Sequence, residues 1–512
     1  MASPIVPISL SAPGFYGLNS QDSPTDMDPK FALDATNCVI DRSGRVASRK
    51  GWLAQHTTLA ALGTSDVDAL GELIDPAGAS TIIAAGNNKI FKFTGTTLVE
   101  LTYGGGGVAP TITASNWQMC SLGTAIVLFQ IGHDPLIYDA TISTSAYRRL
   151  SEHATYSGTV PLADCAISAY GRVWAARTTA NKVTVTWSDT STFQKWTGGT
   201  AGSLDLTSVW PAGGDEVTAL AAHNNSLIIF GRRQTLIYTG ALTPSTMALG
   251  DTITGIGCVA RDSVQMTGED VIFLSDSGVR SISRTIQEKS APMRTISRNV
   301  NDDIQGYIGS VAAVDAKSVY SPADAIYLIT FRTSGMTYCF DMRSPLQDGS
   351  ARATVWTSIS PRSYLSTKTR ELLLGKAGYV GKYTGYTDNG TTYRMTYATA
   401  WMDFGKPMAL SILKRIMMVI LGAQDQSVVF KWGFDYSSGT SSETATLGSV
   451  TAAEYGVAEY GIGEYNANQI INLISIPASG SGNVVQVGFE AQLALNSISI
   501  QKIDVHTKEG RL

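Results

Sequence analysis

Charge is what this chain has least of. Only 16% of its 512 residues are Asp, Glu, Lys or Arg, against a typical share of about 25%, and they balance to a formal −4. A chain without a global basic field does not grip nucleic acid by neutralising phosphates, so any DNA it meets is expected to slide past. Cysteine is scarce as well. Cys38, Cys120, Cys165, Cys258 and Cys339 are odd in number, scattered and without a CxxC pair, which argues against a disulfide framework and a zinc site. They are expected to be reduced, buried hydrophobes. His56, His133, His153, His223 and His506 share no short spacing with one another or with a cysteine, so no metal is expected and each reads as a turn or strand-surface residue. Long apolar runs are missing: none reaches about 18 residues, and Met1 to Leu10 lacks the basic start and apolar core of a signal peptide. The chain therefore reads as soluble, made in a reducing cytosol and without a membrane segment.

Catalytic patterns are missing in the same way. The adjacent carboxylates Asp215–Glu216, Glu269–Asp270 and Asp302–Asp303 would point to opposite sides of a strand, so they mark solvated turns and not an acid/base pair. Ser275-Asp276-Ser277-Gly278 approaches a sialidase Asp-box but lacks the aromatic that should follow. No Ser sits in a G-x-S-x-G elbow, and Gly104 to Gly107 lacks the Lys-Ser/Thr of a phosphate loop. The basic dipeptides Arg148–Arg149, Arg232–Arg233 and Lys414–Arg415 make no nucleic-acid stripe, and the sequons at Asn224 and Asn389 read as turns. No enzyme activity and no cofactor are expected.

What the chain has in abundance is glycine, 50 residues, spread between short apolar segments. One unit recurs, an apolar strand, a polar turn and an alternating strand: Thr81–Phe93, Ala125–Asp139, Arg172–Asp189, Ser226–Gly240, Asp270–Ser283, Ala325–Asp341 and Glu371–Gly385. The spacing, 42 to 58 residues between successive turns, suits propeller blades, whose repeats run about 40–50 residues with four strands each. Continuously apolar strands such as Ile126–Phe129, Leu227–Phe230 and Val271–Leu274 are expected near the propeller centre, buried on both sides. Asn87–Asn88, Asp276–Ser277–Gly278 and Ser334–Gly335 supply residues that tolerate the positive φ of tight hairpins.

The fold expected is all-β: an extended N-terminal arm over 1–55, a β-propeller of about seven blades over 56–390, closed if necessary by a strand from the arm, and a C-terminal β-sandwich over 391–512. The arm is rich in proline but carries Phe15, Tyr16, Phe31, Leu33 and Trp52, apolar area that favours docking over disorder. In the C-terminal part, Val428, Phe430, Trp432 and Phe434 alternate with polar or small residues, and Val485 to Leu495 repeats the pattern. A slip of one position between Ile498/Ile500 and Ile503/Val505 calls for a β-bulge. Tyr455, Tyr460 and Tyr465, spaced by five in a threefold Glu-Tyr repeat with glycines, and Phe15 and Tyr16 in the arm, are candidate subunit-interface residues.

Several segments together resemble tail proteins of short-tailed (podovirus) phages. Gly17-Leu18-Asn19-Ser20-Gln21-Asp22-Ser23-Pro24, Ala35-Thr36-Asn37-Cys38-Val39-Ile40-Asp41, Gly44-Arg45-Val46 and Arg49-Lys50-Gly51-Trp52 are similar to their opening. Trp187-Ser188-Asp189 with Trp196, Phe230-Gly231-Arg232 and Phe273-Leu274-Ser275-Asp276-Ser277-Gly278-Val279 are similar to their blades. Trp401-Met402-Asp403-Phe404-Gly405-Lys406-Pro407 followed by Lys414 resembles the start of their C-terminal domain. The nozzle, or tail-tube, protein is the member implied. The resemblance implies a virion protein forming a homo-oligomeric ring, a hexamer, below the portal. Its partners would be the head-to-tail adaptor and tail fibre or spike proteins, with non-specific passage of double-stranded DNA. The alternative is a propeller-type tail protein that binds or cleaves host surface glycan.

Overall fold

Each of the repeat units found in the sequence folds as an antiparallel hairpin. The computed structural model describes residues 5–509 apart from 58, 60, 113–116, 211–213, 283–294, 310–314, 404–409, 423–425 and 449–470. The turns use the residues their geometry demands. Asn87 and Asn88 sit at φ 49° and 56°, and Asn224 and Asn225 at 46° and 57°, the left-handed pair that a two-residue hairpin needs and that asparagine tolerates.

A strand before each hairpin and another after it complete an antiparallel blade, as in Val67–Ile74, Ser80–Gly86, Lys89–Phe93 and Leu98–Glu100. The same arrangement recurs over 118–149, where Thr102–Tyr103 adds a fifth, parallel strand, over 163–205, 217–254 and 316–356, and over 363–383 with one strand borrowed from the arm, giving six blades; over 265–281 three strands form among the described residues. The first strands pack side by side in a ring, 67–74 against 118–122 and onward through 163–169, 217–223, 265–266, 316–321 and 363–366 back to 67–74. The chain is thus an all-β protein in a propeller arrangement. The continuously apolar strands lie second from the axis, as Ala125–Phe129 does between Gln118–Leu122 and Leu136–Asp139. These second strands are buried at every position, as Ala125–Phe129 and Val271–Ser275 are.

Closure uses the arm. Trp52–Ala54 adds to Tyr379–Tyr383 as the outermost strand of the 363–383 blade. His56 continues this seam. Its Nε2 accepts the Val380 N–H at 2.9 Å and its Nδ1 donates to the Thr57 carbonyl at 2.6 Å. It is therefore a buried part of the closure and not a surface turn residue.

The C-terminal residues build two sheets that share one core. In one, Ser411–Gly422 lies between Ile471–Pro477 and Ile498–Glu509. In the other, Val484–Leu493 lies between Tyr393–Thr399 and Ser427–Phe434. Met418, Ile420, Ile500 and Val505 from the first meet Val428, Phe430, Val487 and Phe489 from the second. The bulge is where the sequence puts it: Val419 pairs with Lys502 and Ile420 with Ile500, so Gln501 is extra and Ile498, Ile500, Ile503 and Val505 are all buried. Leu495, grouped with the apolar face in the sequence, lies beyond the strand and is exposed. An α-helix without a sequence signal, Asn301–Ile308, buries Ile304 and Ile308.

The arm is docked and divided among these sheets. Ile5–Ser11 and Val46–Ser48 pair with Ile498–Glu509, and Cys38–Ile40 pairs with Val46–Ser48. Gly17–Leu18 and Phe31–Thr36 bridge the outer strand Arg352–Trp356 to Tyr393–Thr399, so that blade and C-terminal sheet are continuous. Phe15 has no exposed surface and meets Tyr397 edge-on at 5.9 Å.

Arg49 stands where these parts converge. Its side chain has no exposed surface and makes a bidentate pair with Asp388, 2.9 and 2.7 Å. Nε donates to Asn37 Oδ1 at 3.2 Å, Nη1 to the Lys50 carbonyl at 2.8 Å and Nη2 to Ser358 Oγ. The guanidinium lies 3.8 Å from the Tyr393 ring centroid. Removing one partner of such a pair strands the other charge in a dry site, at a cost of about 3–5 kcal/mol. Arg49→Met is expected to lose about that much in denaturant unfolding, and the double variant with Asp388→Leu to recover part of it. Equal stability of the two variants would contradict this.

Candidate functional site

The first strands of the ring run side by side, so their starts gather at one end of the propeller axis, and a set of charged residues gathers there too. Arg261 precedes Gln265–Met266 in a short 3₁₀ turn and is buried. Its Nη1 donates to Asp164 Oδ1 at 2.6 Å and to the Asp164 carbonyl at 2.7 Å, its Nε to Asp262 Oδ1 at 2.9 Å, and its Nη2 to the Trp117 carbonyl at 3.3 Å. Lys317 Nζ reaches the other oxygen of Asp262 at 2.5 Å. Four units of the ring, those beginning at 118, 163, 265 and 316, are joined through these groups.

The chain of charges goes on outward. Arg177 bridges Asp164 at 3.2 Å and Glu216 at 3.3 Å, and Lys182 pairs with Glu216 at 2.7 Å. Across the axis, Arg362 holds Asp66 at 2.7 Å and Arg332 holds Asp315 at 3.3 Å. Burial by itself would raise the Asp262 carboxyl, but Arg261 and Lys317 outweigh it and hold the group well below the usual carboxylate range. Alternating signs at these distances lock blades to one another. Six cations meet five carboxylates in these pairs, so the collar carries little excess of either charge.

Asp68 differs from the rest. It is the extra residue of a bulge between Val67 and Ala69. Burial pushes its carboxyl up to about 6, with Asp66 adding to the rise and Arg332, Lys317 and Arg362 opposing it. All five cysteines are free and buried, and burial pushes the Cys120 and Cys258 thiols up to about 12 and 11.

The residues singled out in the sequence are not brought together. Asp215 accepts from the Arg232 and Arg233 amides at 2.8 and 2.9 Å, a turn cap, while its neighbour Glu216 belongs to the collar. Asp270 closes a turn with Thr267. Asp302 and Asp303 occupy the first turn of the helix, with Ser20 donating to Asp303 at 2.7 Å. Asn389 and Gly390 form a positive-φ turn, 51° and 85°. Phe15 is consumed inside its own chain, whereas Tyr16 is part-exposed and packs on Phe31 at 5.3 Å. Tyr455, Tyr460 and Tyr465 lie outside the described residues. Among the described residues no cluster of His, Cys, Asp and Glu could hold a metal, and no helix is long and apolar enough to cross a membrane. The collar escaped the sequence reading because its members are 164, 216, 262 and 317 along the chain. Their one shared signal is position, just before or inside the strand that precedes each hairpin.

No family model matches the sequence, and no curated relative matches it. Likeness is found among solved structures, and it is remote. The extracellular domain of BT4673 from B. thetaiotaomicron is 10% identical, with a TM-score of 0.41 over 72% of this chain and 43% of that one, so this chain spans less than half its length. The Pan2 WD40 domain of Neurospora crassa is 8% identical, at 0.39 over 66% of this chain and 96% of that one. PorZ of Porphyromonas gingivalis is 12% identical, at 0.37 over 69% and 43%. The propeller arrangement is read from the strand pairings themselves.

A raised carboxyl makes a pH prediction with a definite sign. The folded state binds a proton at Asp68 between the ordinary 3.8 and about 6, so its stability falls as pH rises through that window. Asp68→Asn is expected to melt with the parent below the window and at a higher temperature above it. A melting difference independent of pH would refute the assignment.

Proposed function

We propose that the chain is a non-enzymatic structural protein of a phage virion, the nozzle component of a short tail. In this reading the 265–281 sheet counts as a blade, so the propeller has seven, and the two C-terminal sheets form a β-sandwich. Identical subunits, six by the resemblance, form a ring below the portal that binds the head-to-tail adaptor and carries fibres or spikes. Double-stranded DNA passes through the ring without being read.

The observation that carries the reading is the continuous sheet that runs from Ala316–Ser321 through Gly17–Leu18 and Phe31–Thr36 to the C-terminal strands. A tube component has to keep its parts in register while DNA is driven through it. A hydrogen-bonded ladder from propeller to C-terminal unit removes the hinge that a linker would leave. Paired charges and a net −4 suit a wall that does not retain DNA. The sequence motifs at 17–52 support the same reading, since they are the residues that form this junction. A second reading, a propeller tail protein that binds host glycan, is favoured by one feature, an uncharged cleft in the 163–205 blade.

Mixing the purified chain with adaptor–portal rings is the direct test. The expected outcome is a stoichiometric ring extending the channel in electron micrographs, with no loss of host capsule on exposure to the chain. Clearing of capsule by the isolated chain, or failure to join the adaptor, would overturn the proposal.

A further inference from the structure

The 163–205 blade carries a cleft that the tail reading does not use. Its volume is about 430 Å³, within the span of small-ligand sites, on the order of 300–1,000 Å³. The pairings build its floor. Thr186 sits opposite Ser203 and beside Ala175, and Thr184, two residues along the strand, faces the same way. Trp196 forms a wall, and Thr159 enters on the loop from the preceding blade.

Local geometry holds that wall in place. The Trp196 amide donates to the Ser157 carbonyl at 2.8 Å, and its indole Nε1 donates to the Phe193 carbonyl at 3.0 Å. Gly158, at φ 103°, passes so close that a Cβ there would stand 2.7 Å from the Trp196 carbonyl carbon. With the indole N–H consumed, what the cleft receives from Trp196 is ring surface.

Two features define the ligand. No residue lining the cleft carries a charge, so nothing in it repays the desolvation of an ionic group. Among the described residues, the hydroxyls of Thr159, Thr184 and Ser203 have no protein partner. Each is a donor and an acceptor together. We propose that this cleft binds a neutral saccharide, with the C–H face of a sugar ring against Trp196 and its hydroxyls exchanging hydrogen bonds with Thr159, Thr184 and Ser203. The site is independent of where the chain sits in a virion.

The probe is a panel of neutral oligosaccharides built from glucose, galactose, mannose or N-acetylglucosamine. Each is offered to the full chain at about 10 mM, enough to reveal millimolar binding, and followed by titration calorimetry and saturation-transfer NMR. At least one is expected to bind, with a Kd that changes less than about twofold when salt is raised tenfold, because no ion pair is involved. Ser203→Tyr, at an exposed strand position, is expected to fill the cleft and weaken binding at least about tenfold with the melting temperature unchanged. The proposal is overturned if no member binds the folded chain, if Ser203→Tyr binds as the parent does, or if acidic saccharides bind better and lose affinity in salt. Failure here leaves the adaptor test untouched, and the reverse also holds.

Discussion

A guanidinium with no exposed surface has to find partners for its donors inside the protein, and Arg49 finds them only when four separate stretches of chain are assembled around it. Asn37 comes from the arm, Ser358 follows the outer strand of the 316–356 blade, Asp388 lies in the link after the last hairpin, and Tyr393 opens the C-terminal strands. An Asn37 amide hydrogen in turn reaches the Arg394 carbonyl at 2.8 Å. Any one of these missing would leave a buried charge or a buried amide short of partners. The site works as a register pin: propeller, arm and C-terminal sheets meet in one relative position.

A second set of buried charges does the same at the propeller axis on a smaller scale. Arg261 spends its donors on Asp164, Asp262 and the Trp117 carbonyl, tying strand starts that hydrogen-bonded ladders do not join. Blades otherwise touch through apolar side chains such as Cys120, Val127 and Phe129 against Ala166 and Val173, contacts that favour closeness without fixing direction. The ion pairs are directional, and their geometry limits how far one blade can slide on the next.

Local physics was legible in the sequence and long-range pairing was not. The hairpins, the asparagine turns and the bulge at Gln501 each depend on a few adjacent residues whose period or conformational tolerance shows directly. The alternation of Val428, Phe430 and Trp432 gave their strand and its buried face. The burial of the apolar strands was legible from their runs of Val, Ile and Leu, but such a run does not say what supplies the cover. His56 and Arg49 were illegible for a related reason. A single polar residue in a stretch without strand periodicity looks like a loop, and only its partners, more than 300 residues away, make it part of a core. The division of the arm over three sheets lay beyond reach too, since two- and three-residue strands such as Gly17–Leu18 and Val46–Ser48 have no period to detect.

Sharing the arm among sheets couples events that separate domains would keep apart. The segment that closes the ring at Trp52–Ala54 follows directly on Val46–Ser48, which pairs with Ile498–Glu509, and Arg49 lies between them. Pulling the arm from the C-terminal sheet would therefore also strain the closing strand and expose Arg49, while opening the ring at Tyr379–Tyr383 would tug on the same few residues. Only residues 49–51 lie between these two pairings, so the backbone, at roughly 3.3 Å per residue, can absorb little of such a movement locally. Opening the ring and unravelling the C-terminal sheet should then be a single cooperative step, because the residues that resist one are the residues that resist the other.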